Sequence, residues 1–378
     1  MKEKEKLQKA FNNKRIGLSL SGGGYRAALF HLGVLSYMAK HELLEHISHI
    51  STVSGGSIVM GLIYRLNAFK FPTSKAYLEN VHTQAIEFLK ETTLLEDNMK
   101  ISAAKASATN GQFALNKKML RRLKGKVWGL DKDIQTLEDT PIWTINATTG
   151  ETGKSWRFSK KRMGDYLIGY MKNPHISLAE AIAASAGFPI AIGPLPLYLN
   201  KYGYKTKDHY TPGSGDFPRE KVTLYDGGLY DNLGTEVFFG ANATRFPKSI
   251  DFLIVSDASA PFNIKKDMAS LWWFGKLNQI SDIATEQIRS LRIRMFHNLV
   301  DKQNEPDLGM LIRIGSGELG MEEEAKCAKN IETDLKSFST RKTNCLINNG
   351  HDAASKNFSN YLTKLQELKE LEMTDESL

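Results

Sequence analysis

Cysteine is nearly missing from this 378-residue chain: Cys327 and Cys345 are the only two. Neither belongs to a Cys-x-x-Cys pair, so no zinc ribbon or dithiol redox motif is present, and so few cysteines fit a reducing compartment. The first residues, MKEKEKLQKAFNNKR, lack the apolar core of a secretory signal. Long apolar runs are also scarce. The exception is Ala181 to Leu199, which carries no charge and is long enough to suggest a membrane span. Pro189, Pro194 and Pro196 interrupt it, and each removes a backbone donor. The stretch therefore reads as a buried helix ending near Gly187, followed by an apolar loop. The expected location is cytoplasmic, or peripheral to the inner face of the membrane. No internal repeat and no Pro/Gly/Ser linker divides the chain. A metalloprotease pair is excluded as well: in His41-Glu42-Leu43-Leu44-Glu45-His46 the second histidine falls one place late, and positions i and i+5 of a helix do not share a face.

What is present suits a large globular enzyme. Hydrophobic residues make up 41%, enough for a sizeable core, and charged residues 24%, too few for extended disorder. The net charge of +8 is compatible with an anionic membrane surface, an acidic substrate, nucleic acid, or simply a basic solubility surface. The densest basic cluster, Lys2, Lys4, Lys6, Lys9, Lys14 and Arg15, is diluted by Glu3 and Glu5. It lacks the interleaved aromatics of a nucleic-acid groove, so no nucleic acid is expected.

The run 15–20 (RIGLSL) reads as a strand, stopped by Ser21-Gly22-Gly23-Gly24 and followed by a helix from Tyr25 to His41. Ile47 to Val53 is a second strand, and a Gly-Gly turn leads into a helix from Ile58 to Leu66. Strand, glycine turn, helix, twice over, predicts a mostly parallel sheet with helices on its faces. Further along, 74–92 reads as a helix and Ala103 to Asn116 as loop-rich. Pro141 to Thr148 and Ser155 to Phe158 read as strands, Leu178 to Ala186 as a helix, and Lys201 to Glu220 as a long surface loop. Val222 to Tyr225, Ile250 to Val255 and Met310 to Ile314 read as strands, 264–300 as a long helical region and 352–371 as a terminal amphipathic helix.

The first glycine turn lies between a strand and a helix start. Its N–H groups point toward the positive end of that helix, and without Cβ atoms a ligand oxygen can approach closely. Such a nest can hold a phosphate or the oxyanion of a tetrahedral intermediate. Gly22 to Ala27 also fits the GxGxxA dinucleotide fingerprint. That fingerprint expects an acid at the end of the second strand, and here the strand ends Ser51-Thr52-Val53-Ser54. There is no Walker lysine, and a purely structural turn stays open.

The second turn, Thr52-Val53-Ser54-Gly55-Gly56, matches GxSxG except that β-branched Thr52 stands at the first glycine, where it crowds the turn. Ser54 is then a nucleophile on an elbow or an ordinary helix cap. A serine hydroxyl needs a base. The histidines are scattered. His351 is the best late candidate and reads as a turn residue beside a helix start. Asp226 ends a strand before Gly227-Gly228, which lets a carboxylate approach a serine, although taken alone it reads as a local turn aspartate.

At these residues the chain resembles the patatin-like phospholipase family. Ser21 to Ala27 is similar to its oxyanion loop, with the leading Ser and the Arg26-Ala27 pair of the animal cytosolic phospholipase A2 branch, where plant patatins begin with Asp. Ser54 in Val53-Ser54-Gly55-Gly56 resembles the family nucleophile and Asp226 in Asp226-Gly227-Gly228 its aspartate. Ala184 to Pro189 resembles its small-residue ASxAxP segment, and Asn146 to Glu151 the strand and turn before it.

The resemblance implies a three-layer α/β/α fold with a mostly parallel central sheet and a Ser54–Asp226 dyad without histidine. It also implies an oxyanion hole of Gly22, Gly23 and Gly24, and hydrolysis of fatty-acyl esters, often phospholipids, through an acyl-serine and without a metal or cofactor. Arg26 is a substrate-binding candidate, since guanidinium suits phosphate; a surface ion pair is its alternative. The Phe188–Leu199 loop and Trp272, Trp273 and Phe274 are candidates to receive the acyl chain, core packing being the reading favoured for the tryptophans. The expected partner is a phospholipid or other acyl-ester lipid, with peripheral membrane contact; oligomeric state is not legible. The rivals are an acyltransferase using the same acyl-enzyme and a decayed lipid- or nucleotide-binding module. The expected organisation is a basic segment 1–14, a catalytic domain 15–320 and a helical extension 321–378 packed on it.

Overall fold

In β1 (Ile16–Leu20) every residue is buried. Such a strand needs helices on both faces and parallel neighbours, and it has both. The computed structural model describes residues 2–95, 114–189, 192–202, 220–240, 243–259, 262, 273–301, 308–316 and 322–375. On one side β1 pairs in parallel with β2 (Ile47–Val53), and β2 with β3 (Ile142–Thr149). On the other side it pairs in parallel with β9 (Phe252–Asp257), and β9 with β10 (Gly309–Arg313). Beyond β3 the sheet turns antiparallel through β4 (Ser155–Phe158), β5 (Arg162–Asp165) and β6 (Gly169–Lys172). The order is β10-β9-β1-β2-β3-β4-β5-β6. β8 (Lys221–Asp226) pairs antiparallel with β3, and β7 (Leu195–Tyr198) with β8.

The N-terminal basic segment is an ordered helix, α1 (Glu3–Phe11), with Leu7 and Phe11 buried; the Phe11 ring packs on Phe252, Phe358 and Tyr361. Two helices leave glycine turns as expected, α2 (Gly24–Lys40) and α3 (Gly55–Leu66). A helical stretch from Ser74 ends in α4 (His82–Glu91). Then come α5 (Ala114–Lys124), α6 (Leu178–Ser185) and the single turn α7 (Gly228–Asp231). The long α8 (Trp273–Asp301) precedes α9 (Glu322–Asn330) and α10 (Thr340–Asp375). The main core lies between the sheet and α2, α3, α6 and α10. A second, smaller core packs Phe296, Leu299 and Val300 of α8 against Leu253 and Val255 on the opposite face. The architecture is therefore the expected α/β/α sandwich.

Several local readings change. Strands β5, β6 and β7 were not visible in the sequence, because they are short, carry Gly and Pro and owe their form to pairing. Residues 114–116, read as loop, begin α5, while 103–113 lie outside the described residues, as do 203–219 of the predicted surface loop. Trp272 and the side chains of Trp273 and Phe274 also lie outside them. Cys327 and Cys345, apart in sequence, are joined as a disulfide between α9 and α10, a pairing that the reducing-compartment reading did not anticipate.

The largest change is α10, which starts at Thr340 rather than near residue 352, so that His351 lies within it. Asn348-Asn349-Gly350 reads as a breaker, but here it is what lets α10 touch α2. A Cβ on Gly33 would stand 2.0 Å from the Ile347 carbonyl oxygen, and one on Gly350 2.1 Å from that of Phe30. Asn349 is used too: its Oδ1 accepts the Gly315 N–H at 2.9 Å and its Nδ2 donates to the Ser316 carbonyl at 2.7 Å. Gly33→Ala must push two helix backbones apart. It should cost about 1–3 kcal/mol or more, read as a lower urea midpoint, whereas Ala at exposed Gly153, with nothing within 4 Å of its Cβ but a positive φ of 64°, should cost less.

Candidate active site

The sheet register brings two distant strand ends together. Along one edge of β3, β2 runs parallel and its last residue, Val53, pairs with Asn146. On the same edge, β8 comes from the opposite direction, and its last residue, Asp226, pairs with Ala147. The two strands thus meet head to head on adjacent residues of β3. Ser54 follows directly from one and Asp226 ends the other. The Ser54 side chain is near enough to the Asp226 carboxylate to help lower its pKa, although the two make no hydrogen bond of standard geometry.

Ser54 occupies a strained elbow, φ 48° and ψ −114°, between β2 and α3. Such a backbone costs about 1–3 kcal/mol and persists only when its surroundings over-determine it. Here they do. The Ser54 N–H donates to Ser185 Oγ at 3.0 Å; Ser185 Oγ meets Ser57 Oγ at 2.8 Å, and Ser57 Oγ meets Thr52 Oγ1 at 2.9 Å. Trp143 Nε1–H closes the chain by donating to Thr52 Oγ1 at 3.0 Å. Thr52, which the sequence presented as a crowding departure from glycine, is accommodated because its hydroxyl is a member of this buried network. Ser185 thus supports Ser54. Its one sequence signal was the small-residue segment around it. Asn146 completes the frame, its Nδ2 donating to Ser51 Oγ at 2.9 Å and to the Thr52 carbonyl at 3.0 Å.

Ser54 is 9% exposed and Asp226 3%. Burial pushes the Asp226 carboxyl up to about 7, against the hydrogen bond from the Gly228 N–H, at 2.7 Å, and the nearby Ser54 hydroxyl. Desolvation of an unpaired carboxylate outweighs both. No described histidine hydrogen-bonds to the side chain of Ser54 or Asp226. His49 meets Thr144, and His351 meets Lys40 on the α2–α10 side.

The glycine loop abuts the elbow. A Cβ on Gly55 would stand 2.1 Å from the Gly24 oxygen and 2.8 Å from the Gly24 nitrogen, so the first turns of α2 and α3 touch. Gly23 and Gly24 have φ of 139° and 59°, and their N–H groups make no hydrogen bond to another described residue. Gly22 corrects the sequence reading: its N–H donates inward to the Asn232 carbonyl at 3.0 Å and is not offered to a ligand. The Gly55 N–H, first of α3, is a further donor that the sequence reading had not counted.

Arg26 is the second correction. It is 1% exposed. Its Nε and Nη2 donate to the Ala258 carbonyl at 3.2 and 2.9 Å, and its Nη1 to that of Ile331 at 3.1 Å. The side chain lies beneath the loop, with Nη2 3.0 Å from where a Cβ on Gly23 would be, so it ties the loop to segments far away in the chain rather than facing a phosphate. His31 was missed altogether. Burial lowers it to about 4, so it is neutral near pH 7; its rings bridge Ser21 O at 3.0 Å and Ser256 Oγ at 2.8 Å. The Tyr25 N–H donates to the Asp334 carbonyl at 2.8 Å, closing the loop from the other side. Among the described residues no cluster of His, Cys, Asp or Glu is arranged to hold a metal, and no helix is long and apolar enough to cross a membrane.

A family model described as patatin-like phospholipase matches residues 18–239, more than half of the chain. Over 50 residues the chain is 44% identical to the "Putative meiotic phospholipase SPO1" of Saccharomyces cerevisiae, a match covering 13% of this chain and 8% of that protein. The fold is similar to that of human GIVD cytosolic phospholipase A2, with a TM-score of 0.55 and 13% identity over 96% of this chain and 62% of the human one. The same human enzyme in complex with methyl gamma-linolenyl fluorophosphonate inhibitor and terbium chloride gives 0.52, at 13% identity over 97% and 62%. The chain thus spans about three fifths of the length of the human enzyme.

Two stability measurements test this geometry. Ser185→Ala leaves the Ser54 N–H without its acceptor and should cost about 1–3 kcal/mol in urea denaturation. For Asp226 the folded value of about 7 lies above the ordinary 3.8, so the folded chain holds a proton that the unfolded chain releases. Stability from this group is full below pH 3.8 and is lost as pH rises through 7. Asp226→Asn should therefore be more stable than wild type at pH 8, on the order of a few kcal/mol, with the gain shrinking toward pH 4.

Proposed function

The chain belongs to the patatin-like phospholipase family, and on that premise we propose that it is a serine-dependent lipid acyl hydrolase in which Ser54 is the nucleophile and Asp226 its base. The observation that supports this reading is the head-to-head meeting of β2 and β8, which brings Ser54 next to a carboxylate poised near neutrality. A general base works best when its pKa is near the operating pH.

Asp226 takes the Ser54 proton as Oγ attacks the acyl carbonyl of a lipid ester. The oxyanion forms against the N–H groups of Gly23, Gly24 and Gly55, at the adjoining starts of α2 and α3, where two helix dipoles favour negative charge. The tetrahedral intermediate collapses, the alcohol leaves with the proton held by Asp226, and the acyl group stays on Ser54. Water, deprotonated by Asp226, then attacks the ester, and fatty acid and free Ser54 hydroxyl are restored. Burial strengthens each of these interactions by excluding water. Arg26 and His31 act through the loop they brace. Phe188, 38% exposed at the edge of the site, is open to an acyl chain, while Leu195 and Leu197 of the same segment are core.

The human relative's fluorophosphonate inhibitor carries a lipid-like chain. A long-chain fluorophosphonate is expected to label Ser54 here, and mass spectrometry of the labelled peptide reads it. Ser54→Ala should abolish labelling and should lower fatty-acid release from phospholipid vesicles by about 10⁴-fold or more, with Asp226→Asn close behind. Release by a Ser54→Ala protein at the wild-type rate would remove the proposal. The proton must leave Asp226 before it can act, so kcat/KM should rise with pH and reach half its plateau near 7, the folded value for this group. Product analysis with a lysolipid acceptor present separates hydrolysis from acyl transfer.

A further inference from the structure

Both cysteines of the chain are taken up in one bond, Cys327–Cys345, at a sequence separation of 18. The pair lies outside residues 18–239, the part that the family model matches. Between the two cysteines runs a strap, 331–339, with no helix or strand of its own. Its carbonyls serve other segments. That of Ile331 accepts Arg26 Nη1 at 3.1 Å, and that of Asp334 accepts the Tyr25 N–H at 2.8 Å. That of Leu335 accepts the Leu94 and Leu95 N–H groups at 2.9 and 3.2 Å. The strap also lies hard against the glycine loop, since a Cβ on Gly24 would stand 2.3 Å from the Asp334 oxygen. Gly24 therefore keeps its φ of 59° with the strap as a wall on one side.

The two ends of the strap are held unequally. Its C-terminal end enters α10, a helix of 36 residues that places Leu346, Ala353 and Phe358 in the main core. Its N-terminal end leaves α9, a helix of nine residues whose buried side chains are the small Ala325 and Ala328. Two alanines bury little apolar area. The disulfide is the covalent tie between the weakly held helix and the firmly held one. Its two sides also differ in access: Cys345 is buried, whereas Cys327 is half-buried. Cys327 Sγ is thus the sulfur that an incoming thiolate reaches.

We propose that Cys327–Cys345 is a reversible thiol–disulfide site, exchanged by a dithiol, and that its oxidation state sets the glycine loop through the strap. The inference rests on the reading of Gly23 and Gly24 as oxyanion donors. In the exchange, one thiolate of the dithiol attacks Cys327 Sγ, the Cys327–Cys345 bond breaks, and Cys345 leaves as a thiolate that takes up a proton. The second thiolate of the dithiol then attacks its partner sulfur in the mixed disulfide. Cys327 leaves as a thiolate and is protonated in turn. Two electrons and two protons have passed to the protein, and the dithiol has become a disulfide. Closing a loop of this length restrains its opened states by on the order of a hundredfold. Reduction lifts that restraint, so α9 and the strap part from the glycine loop more often and Asp334 holds Tyr25 less of the time. Disulfides in reducing compartments are mostly of this transient or sensing kind.

A redox titration of the full chain tests this. Wild-type protein is poised in buffers of reduced and oxidised dithiothreitol, and its free thiols are counted by alkylation and intact mass. On reduction, amide exchange in the peptides that hold Tyr25 and Leu94 should quicken about tenfold to a hundredfold, while β2 and β3 keep their protection. Over the same range kcat for a monomeric, water-soluble ester should fall about tenfold or more, with KM within about twofold, because oxyanion donors act in the transition state. Reoxidation should restore both. Cys327→Ala with Cys345→Ala should show the reduced values in every buffer; if that variant does not fold, the wild-type titration decides alone. Unchanged exchange and kcat in protein whose thiols are free would overturn the proposal. So would a bond that resists dithiothreitol in the folded protein, or exchange that quickens across the whole molecule, which marks a purely structural bond. Oxidised protein without ester turnover, in which exchange at Tyr25 still follows the thiols, would instead sink the Ser54–Asp226 reading and leave the thiol–disulfide site standing.

Discussion

The pairing register of β3 is the constraint on which the site depends. Val53 lies opposite Asn146 and Asp226 opposite Ala147. Two strands approaching from opposite directions on one edge can come no closer than this. A slip of one residue in either would turn its side chains to the other face of the sheet and move hydroxyl and carboxylate apart. Asn146 guards the join from both sides: its side chain holds Ser51 and Thr52, and a Cβ on Gly227 would stand 2.5 Å from its carbonyl oxygen.

Burial then decides chemistry, and a neighbouring strand supplies the contrast. Asp226 and Asp257 both end strands and are both buried. Burial raises each, but at Asp257 the Arg289 guanidinium and its hydrogen bonds more than offset it and hold the carboxyl below the usual range. Asp226 has no such cation, and its carboxyl rises to about 7. The same residue type in the same kind of position is a fixed anion in one strand and a group that titrates near neutrality in the other.

Around this pair, much of the polar structure serves to hold backbone rather than to face solvent. The hydroxyl chain from Trp143 to Ser185 holds the elbow. His31, Arg26 and the Asp334 carbonyl hold the glycine loop from β9 and from the segment between α9 and α10. The disulfide brackets that last segment. Two turns that must keep strained conformations are thus braced by residues remote in sequence, as strain at a functional turn requires.

Much was legible without coordinates, because it is written in local signals. Glycines after apolar strands mark turns, the two strand–turn–helix units imply the parallel sheet, and Ser54 and Asp226 stand out by their glycine neighbours. What stayed hidden is what depends on contact. Short strands β5 to β7 exist through pairing, and α10 runs through Asn348-Asn349-Gly350 because α2 needs a neighbour without a Cβ there. Arg26 turns inward because carbonyls of Ala258 and Ile331 await it, and the Gly22 N–H is taken by Asn232, partners no spacing rule announces. By itself the sequence determined which residues sit on turns and strand ends, since those are set by backbone sterics over a few residues. Only the tertiary structure decided which of them meet, which donors remain free and how far a carboxyl is desolvated, since those depend on long-range packing.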